Sequence, residues 1–266
     1  MRVRARVAFL ITALLVGGGA HALWAQPVEV EGALRAEYEA ASDTWLLEGS
    51  PVRLRQGVLV LEAHSVRYRG REGTFEAAGG VRVVYGDELA AQGQQAVGSV
   101  RERRAALEGD VRAAYRTADS PVQLVAPALE LDFARRIARA RGGVRVSWAE
   151  ASLHAQEVWV DGPSEEVHAV GRPLVRWQDL DLVAGSLRAD LRARVVWAAG
   201  GVRLEHPTAV AEASLAEVLW QDRVAVLRGA VVVRRGADQL VADQVRYAWQ
   251  RGVLAAEGRS RVVVHP

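Results

Sequence analysis

Eight glycines constrain this chain more than any other feature. Gly49, Gly79, Gly109, Gly142, Gly171, Gly200, Gly229 and Gly258 are separated by 30, 30, 33, 29, 29, 29 and 29 residues. A period in this range marks stacked units, none of which can bury its apolar face alone. A second column keeps the same phase: Ala63, Ala126, Ala155, Ala184, Ala213 and Ala242 each lie sixteen residues before an anchor glycine. The unit before Gly109 departs from this column. There Leu89-Ala-Ala91 sits two residues further away, which predicts a small insertion around 92–98. Positions two and four before each glycine are apolar, as in Phe75/Ala77, Ala105/Leu107 and Ala225/Leu227.

The residues after each glycine alternate. Val81, Val83 and Tyr85 share one face, and Val111/Ala113/Tyr115, Val144/Val146/Trp148, Val175/Trp177 and Val202/Leu204 repeat it. Arg82, Arg112, Arg145 and Arg203 fall on the opposite face. Period two with one apolar face describes a half-buried strand. The best-preserved unit, 240–258, shows the other strand: Leu240 and Ala242 alternate, then Val245 and Tyr247 resume one register later. That slip predicts a bulge or corner, and the mid-run glycine a bend. Turn sequences such as Asp161-Gly-Pro-Ser164 separate the strands. The expected class is all-β, with about sixteen antiparallel strands in one repeat domain over 26–266. The stretch 126–141 has helical periodicity in isolation, but it is in phase with the repeat and is assigned to strands, its extra residues accounting for the 33-residue spacing. The segment 22–38 is less regular and reads as an extended lead-in or cap.

Composition narrows the function. The net charge is +2 with no lysine, which argues against a nucleic-acid binder. The absence of cysteine excludes disulfides, thiolate metal sites and a lipoprotein anchor. Arg2, Arg4 and Arg6 precede an apolar run over 7–16, and Ala20-His21-Ala22 fits a small-x-small cleavage site. Residues 1–25 therefore read as a secretory signal peptide, with a mature start near Leu23 or Gln26. The run is short beside the roughly 20 residues of a spanning helix, so an uncleaved inner-membrane anchor is the lesser alternative.

No catalytic constellation emerges, and no metal site or cofactor is expected. His21, His64, His154, His168, His206 and His265 contain no i, i+4 pair, and read as satisfied or solvent-facing. The acids around Asp161 and Glu165-Glu166 read as a solvated turn, and Ser152, Ser186 and Ser214 lack a nucleophile elbow. The arginine row is either the wet face of a sheet or a surface for an anionic ligand or membrane. The apolar row is either an ordinary core or the lining of a groove for acyl chains. Its members are Val81, Val83, Tyr85, Val111, Tyr115, Val144, Val146, Trp148, Val175, Trp177, Val202 and Leu204.

The unit Leu240-x-Ala-Asp-x-Val-x-Tyr247, followed by Ala255-Ala-Glu-Gly258, resembles the OstA-like (organic-solvent-tolerance, LptA-type) family of periplasmic lipopolysaccharide transport. Leu61-Glu-Ala-His-Ser-Val-Arg-Tyr68 matches it too, and 153–160 more loosely. The resemblance implies a β-jellyroll, or folded trough, whose apolar inner face carries the acyl chains of lipopolysaccharide or a related lipid. It further implies a non-enzymatic bridge in the periplasm. The partners it implies are an inner-membrane ABC-transporter complex, an outer-membrane translocon and, through open edge strands, further copies end to end. The alternatives are a β-solenoid scaffold and an assembly module for an outer-membrane barrel. The family's aspartate survives only as Asp243; the same slot holds His64, Pro127, Gln156, Gly185 or Ser214 in other units.

Overall fold

The structure, a computed structural model, describes residues 27–116, 121–149 and 151–265. The expected leader at 1–25 lies outside the described residues. Eighteen strands follow one another along the chain. The first nine are β1 (Glu29–Glu39), β2 (Thr44–Gln56), β3 (Leu59–Arg69), β4 (Thr74–Tyr85), β5 (Leu89–Ser99), β6 (Arg104–Tyr115), β7 (Val122–Asp132), β8 (Ile137–Trp148) and β9 (Ala151–Asp161). Four short ones come next: β10 (Glu166–Val170), β11 (Leu174–Trp177), β12 (Leu180–Val183) and β13 (Ser186–Asp190). The array resumes with β14 (Val195–His206), β15 (Ala209–Leu219), β16 (Val224–Arg235), β17 (Asp238–Ala248) and β18 (Val253–Val263). A 3-10 turn at Trp249–Arg251 is the only helical element among the described residues, and none of their helices is long and apolar enough to cross a membrane.

All pairing is antiparallel, and each long strand pairs with its neighbours in sequence. The expected sixteen and the observed eighteen agree once two strands are seen as broken. β10 and β11 both pair with β9, and β12 and β13 both pair with β14. The break follows from Pro173. It stands two residues after Gly171, where Val81 follows Gly79, and it has no N–H to give the ladder.

Each long strand bends in the middle. In β3 the buried positions run Leu61, Ala63, Val66, so the alternation slips after the repeated alanine, and the β3–β4 register shifts between Glu62 and Ser65. In β4, Gly79 and Gly80 both take positive φ, at 84° and 76°. Phe75 and Ala77 before the bend and Val81 and Val83 after it all point inward. Repeated strand after strand, this bend folds the sheet along one line, so that its two halves face each other across the core.

The glycine column has a steric cause beyond its φ. A Cβ on Gly79 would stand 2.6 Å from the His64 Cβ, and one on Gly171 would stand 2.3 Å from the Gln156 Cβ. Gly49 abuts the Gly32 backbone, whereas from Gly79 onward the anchor glycine abuts the residue that follows the repeated alanine. That slot points outward, so it tolerates histidine, glutamine, proline, serine or aspartate. Asp243 accepts a hydrogen bond from the Arg259 N–H at 3.0 Å, and Ser214 donates to the Gly229 carbonyl at 3.1 Å. The aspartate is thus one of several residues able to sit on the bend.

Two local expectations are corrected. No insertion exists at 92–98: Gly93 occupies the alanine column, pairing with Val81 as Ala63 pairs with Val52 and Ala126 with Val111. A Cβ on Gly93 would lie 3.1 Å from the Glu108 carbonyl oxygen, which favours glycine over alanine there. The extra residues behind the 33-residue spacing lie in the connection between Tyr115 and Val122, ahead of 126–141, which itself forms β7 and the start of β8. The lead-in is strand β1, paired with β2 and shifted in register around Gly32 and Ala33.

A candidate lipid-binding interior

The interior is built from two kinds of row. Beside the fold line, Val81, Val83, Val111, Val144, Val202 and Leu204 are at most 2% exposed. Burying each such side chain stabilises the fold by about 1.5–3 kcal/mol. Further toward the strand ends, Tyr115 and Val146 are buried, while Tyr85, Trp148, Val175 and Trp177 are partly buried against the same core. All twelve expected residues therefore share one interior face.

They do not all border free space. An apolar cavity of about 130 Å3 lies beneath the broken strands and touches Trp148, Val175 and Trp177. A second, about 60 Å3, touches Tyr115, Val146 and Trp148, and shares Trp148, Leu153 and Val167 with the first. A third, about 30 Å3, lies nearer the start of the array, with Val28, Leu54 and Val83 among its walls. Val81, Val111, Val144 and Val202 border none of the three, because facing halves of the sheet interdigitate closest to the fold line. Free space opens away from that line, toward the rims.

The rims meet. One carries the turns after β4, β11 and β14; the other carries the turns after β7, β15 and β17. Tyr85 stacks on Phe133 with centroids 5.4 Å apart. Trp177 meets Trp249 edge to face at 6.1 Å, and the Arg223 guanidinium lies 6.0 Å from the Trp177 ring. His206 meets Tyr247 at 6.1 Å. His206 is also the centre of a polar cluster. Its Nε2 lies 2.9 Å from Asp179 Oδ2, and its Nδ1 lies 2.8 Å from Thr208 Oγ1 and 3.1 Å from the Tyr247 hydroxyl. Asp179 accepts when Nε2 carries a proton, and in the neutral ring of that tautomer Nδ1 is the acceptor. Burial pushes the Tyr115 phenol up to about 12, as befits a ring inside an apolar wall.

Sequence reading missed a column on the second rim. Gly70, Val100, Phe133, Gly162, Leu191, Trp220 and Trp249 each follow the last residue of a strand, in phase with the repeat. The backbone N–H groups of Gly70, Val100, Phe133, Gly162, Leu191 and Trp249 each donate to a carbonyl in the preceding turn on that rim, as in Phe133 to Arg103 at 2.9 Å and Trp249 to Arg223 at 3.3 Å. Phase alone could have found the column; its mixture of glycine, aliphatic and aromatic residues hid it.

The arginine row on the outer face divides. Glu62 bridges Arg53 and Arg82 at 2.8 and 3.4 Å, and Glu212 bridges Arg203 and Arg234 at 2.9 and 3.2 Å. Arg112 and Arg145 are exposed and make no ion pair among the described residues. His64 and His154 are exposed on this face, and His168 stacks on Trp159 with centroids 4.6 Å apart. The described residues hold no group of three metal-ligating side chains.

Fold and interior define an all-β protein whose single kinked antiparallel sheet closes over an apolar core. No family model and no curated protein matches the sequence. Among solved structures it is similar to LptH of Pseudomonas aeruginosa, the LptA-homologous periplasmic component of the lipopolysaccharide transport device. The two are 12% identical, and the match spans 56% of this chain and 85% of that one with a TM-score of 0.28.

Proposed function

We propose that the apolar interior carries the acyl chains of an amphipathic lipid, lipopolysaccharide or a related molecule, and that the chain acts as a non-enzymatic periplasmic bridge. The observation that carries this reading is the placement of free space: apolar cavities follow the array beneath a seam that side chains alone hold shut. A seam of ring contacts can part without breaking a backbone ladder. The cavities are too small for whole acyl chains, so loading parts the rims and the head group stays at the seam. Binding through buried apolar area, at about 25 cal/mol per Å2, has no direction. Net movement then requires an energised inner-membrane ABC-transporter complex at one end and an outer-membrane translocon at the other.

The unpaired edges of β1 and β18 offer ladders to those partners or to a second copy. The mature domain is 26–266 in this reading, delivered by the leader at 1–25, with no role for nucleic acid, metal or cofactor.

Photoreactive residues at Val146 and Val175, which border cavities, should form lipid adducts in cells, and one at exposed Leu46 should not. No adduct at either interior position would overturn lipid carriage. The densely packed fold-line row would then favour the second reading, a closed β-solenoid spacer.

A further inference from the structure

The second rim is basic. Its turns at 40–43, 70–73, 100–103, 133–136, 162–165, 191–194, 220–223 and 249–252 hold nine arginines and five acids. The described turn residues of the first rim hold one arginine and three acids. The last residue of every turn on the basic rim takes positive φ, between 50° and 67°. The fold fixes that geometry, because the carbonyl of this residue accepts from the next turn, as Arg103 does from Phe133 and Arg136 from Gly162. Glycine suits the position best, and Gly73 and Gly252 occupy it toward the two ends of the array. Between them stand Arg103, Arg136, Arg194 and Arg223, with Glu165 in the middle. A side chain in the left-handed region costs free energy, and arginine lacks the local hydrogen bonding by which asparagine or aspartate offsets it.

These four arginines are not ordinary solvated turn residues. Each is partly buried, whereas Arg71, Arg101, Arg135 and Arg251 in the same turns are exposed. Two residues further on stand the inward-facing Ala105, Ala138, Val196 and Ala225, so the column sits at the mouth of the interior. Arg103 lines the cavity of about 30 Å3. The Arg223 guanidinium lies over the Trp177 ring of the opposite rim, and the charge of Arg136 acts on the Tyr115 phenol there. Turn closure does not ask for a cation at this place, because Gly73 and Gly252 close their turns without one.

We infer that this column binds an anionic, phosphate-bearing head group at the seam while the acyl chains of the same guest enter the interior beneath it. The inference rests on the lipid-carrying reading above and names the head group that reading leaves open. Consecutive members stand two strand spacings, about 10 Å, apart. Arg103 and Arg136 form one neighbouring pair and Arg194 and Arg223 another, divided by Glu165, which is paired to Arg192 at 2.9 Å. A guanidinium fork matches phosphate oxygens bidentately, and a phosphate has oxygens enough for both members of a pair. A carboxylate is saturated by a single fork. The rim therefore offers two head-group stations. The opposite rim, with Asp87, Glu88 and Asp179, repels the same group, so the guest lies with its head to one side of the seam.

The test uses the mature chain loaded with an apolar fluorescent dye. Displacement is measured with dodecyl phosphate and with dodecyl maltoside, which share a tail, each below its micelle concentration. The unaltered chain should prefer the phosphate by about tenfold, the effect of one charge-assisted hydrogen bond. Arg136→Gly combined with Arg194→Gly removes one arginine from each pair and relieves two left-handed residues. That variant should keep its thermal midpoint and lose the preference. Inorganic phosphate, added at the concentration of dodecyl phosphate, should leave the preference intact; if it abolishes the preference, the column is a free-anion site and the head-group assignment falls. Equal affinity for the two detergents in the unaltered chain, a result that needs no variant, overturns the column and leaves lipid carriage standing. So does an unchanged preference in the folded variant. Failure of both detergents to displace the dye overturns lipid carriage itself, and the column with it.

Discussion

Trp177 at the end of β11 and Trp249 in the turn after β17 meet edge to face, with centroids 6.1 Å apart and planes at 86°. They come from opposite rims of the folded sheet, so their contact is a clasp across the seam. Trp249 is 5% exposed, and Trp249→Ala should cost about 3–5 kcal/mol in denaturant unfolding. A double-mutant cycle with Trp177→Ala should return a coupling of about 0.5–1.5 kcal/mol. If the clasp gates the interior, the Trp177→Ala chain should also take up an apolar dye faster than the unaltered chain. A coupling near zero would mean that the rings touch without holding the rims.

The bend separates two positions that face each other with opposite tolerance. Gly142 has φ of 90°, and a Cβ there would stand 2.9 Å from the Pro127 ring. Gly142→Ala should therefore cost more than the roughly 1 kcal/mol of left-handed strain alone. Substituting the outward slot, as in Gln94→Asp, should stay within about 0.5 kcal/mol. Thermal unfolding of the two variants checks the contrast.

Asp132 ties a rim turn to the sheet. It accepts from the Arg135 N–H at 2.8 Å and from the Arg104 guanidinium at 3.0 Å. Burial pushes its pKa up, but those two donors outweigh burial and hold the carboxyl below its usual range. A lowered folded pKa contributes stability that is present above the unfolded value and lost as pH falls through the folded one. Asp132→Ala should therefore cost about 1.5 kcal/mol at neutral pH, and the gap between variant and parent should close below about pH 4. Urea midpoints across that range would reveal a pH-independent gap, the result contrary to expectation.

The two edges differ in charge. β1 carries Glu29, Glu31, Glu37 and Glu39 against Arg35, whereas β18 carries Arg259 and Arg261 against Glu257. Val30, Leu34, Val253 and Val262 are exposed on them. Association of β1 with β18 of a second copy should weaken as salt shortens the screening length below about 10 Å. Arg261→Glu should weaken it further. Sedimentation across salt and protein concentration is the measurement, and a chain that stays monomeric throughout would argue for different occupants of these edges.

The sequence made the strand array legible because its causes are local. Gly79 marks the bend, Ala63 the tight position beside it, and Val81 and Val83 the inward face, all at fixed spacing. Gly93 was misread because it does the alanine's work with a different residue. The paired rims were not legible at all. Tyr85 and Phe133, or Trp177 and Trp249, become neighbours only once the whole sheet has folded along its line of bends, which no single unit encodes.

The regular bend has a last consequence, for length. Outside the broken β10–β13 strands and the β1–β2 edge, the units repeat the same registers with their neighbours, so a regular unit added or removed as a whole leaves matching ladders on both sides. Each contributes two strand spacings, about 10 Å, and the sixteen strand positions span roughly 70 Å. The molecule is in this sense a ruler graduated in hairpins, its reach set by how many units the gene encodes.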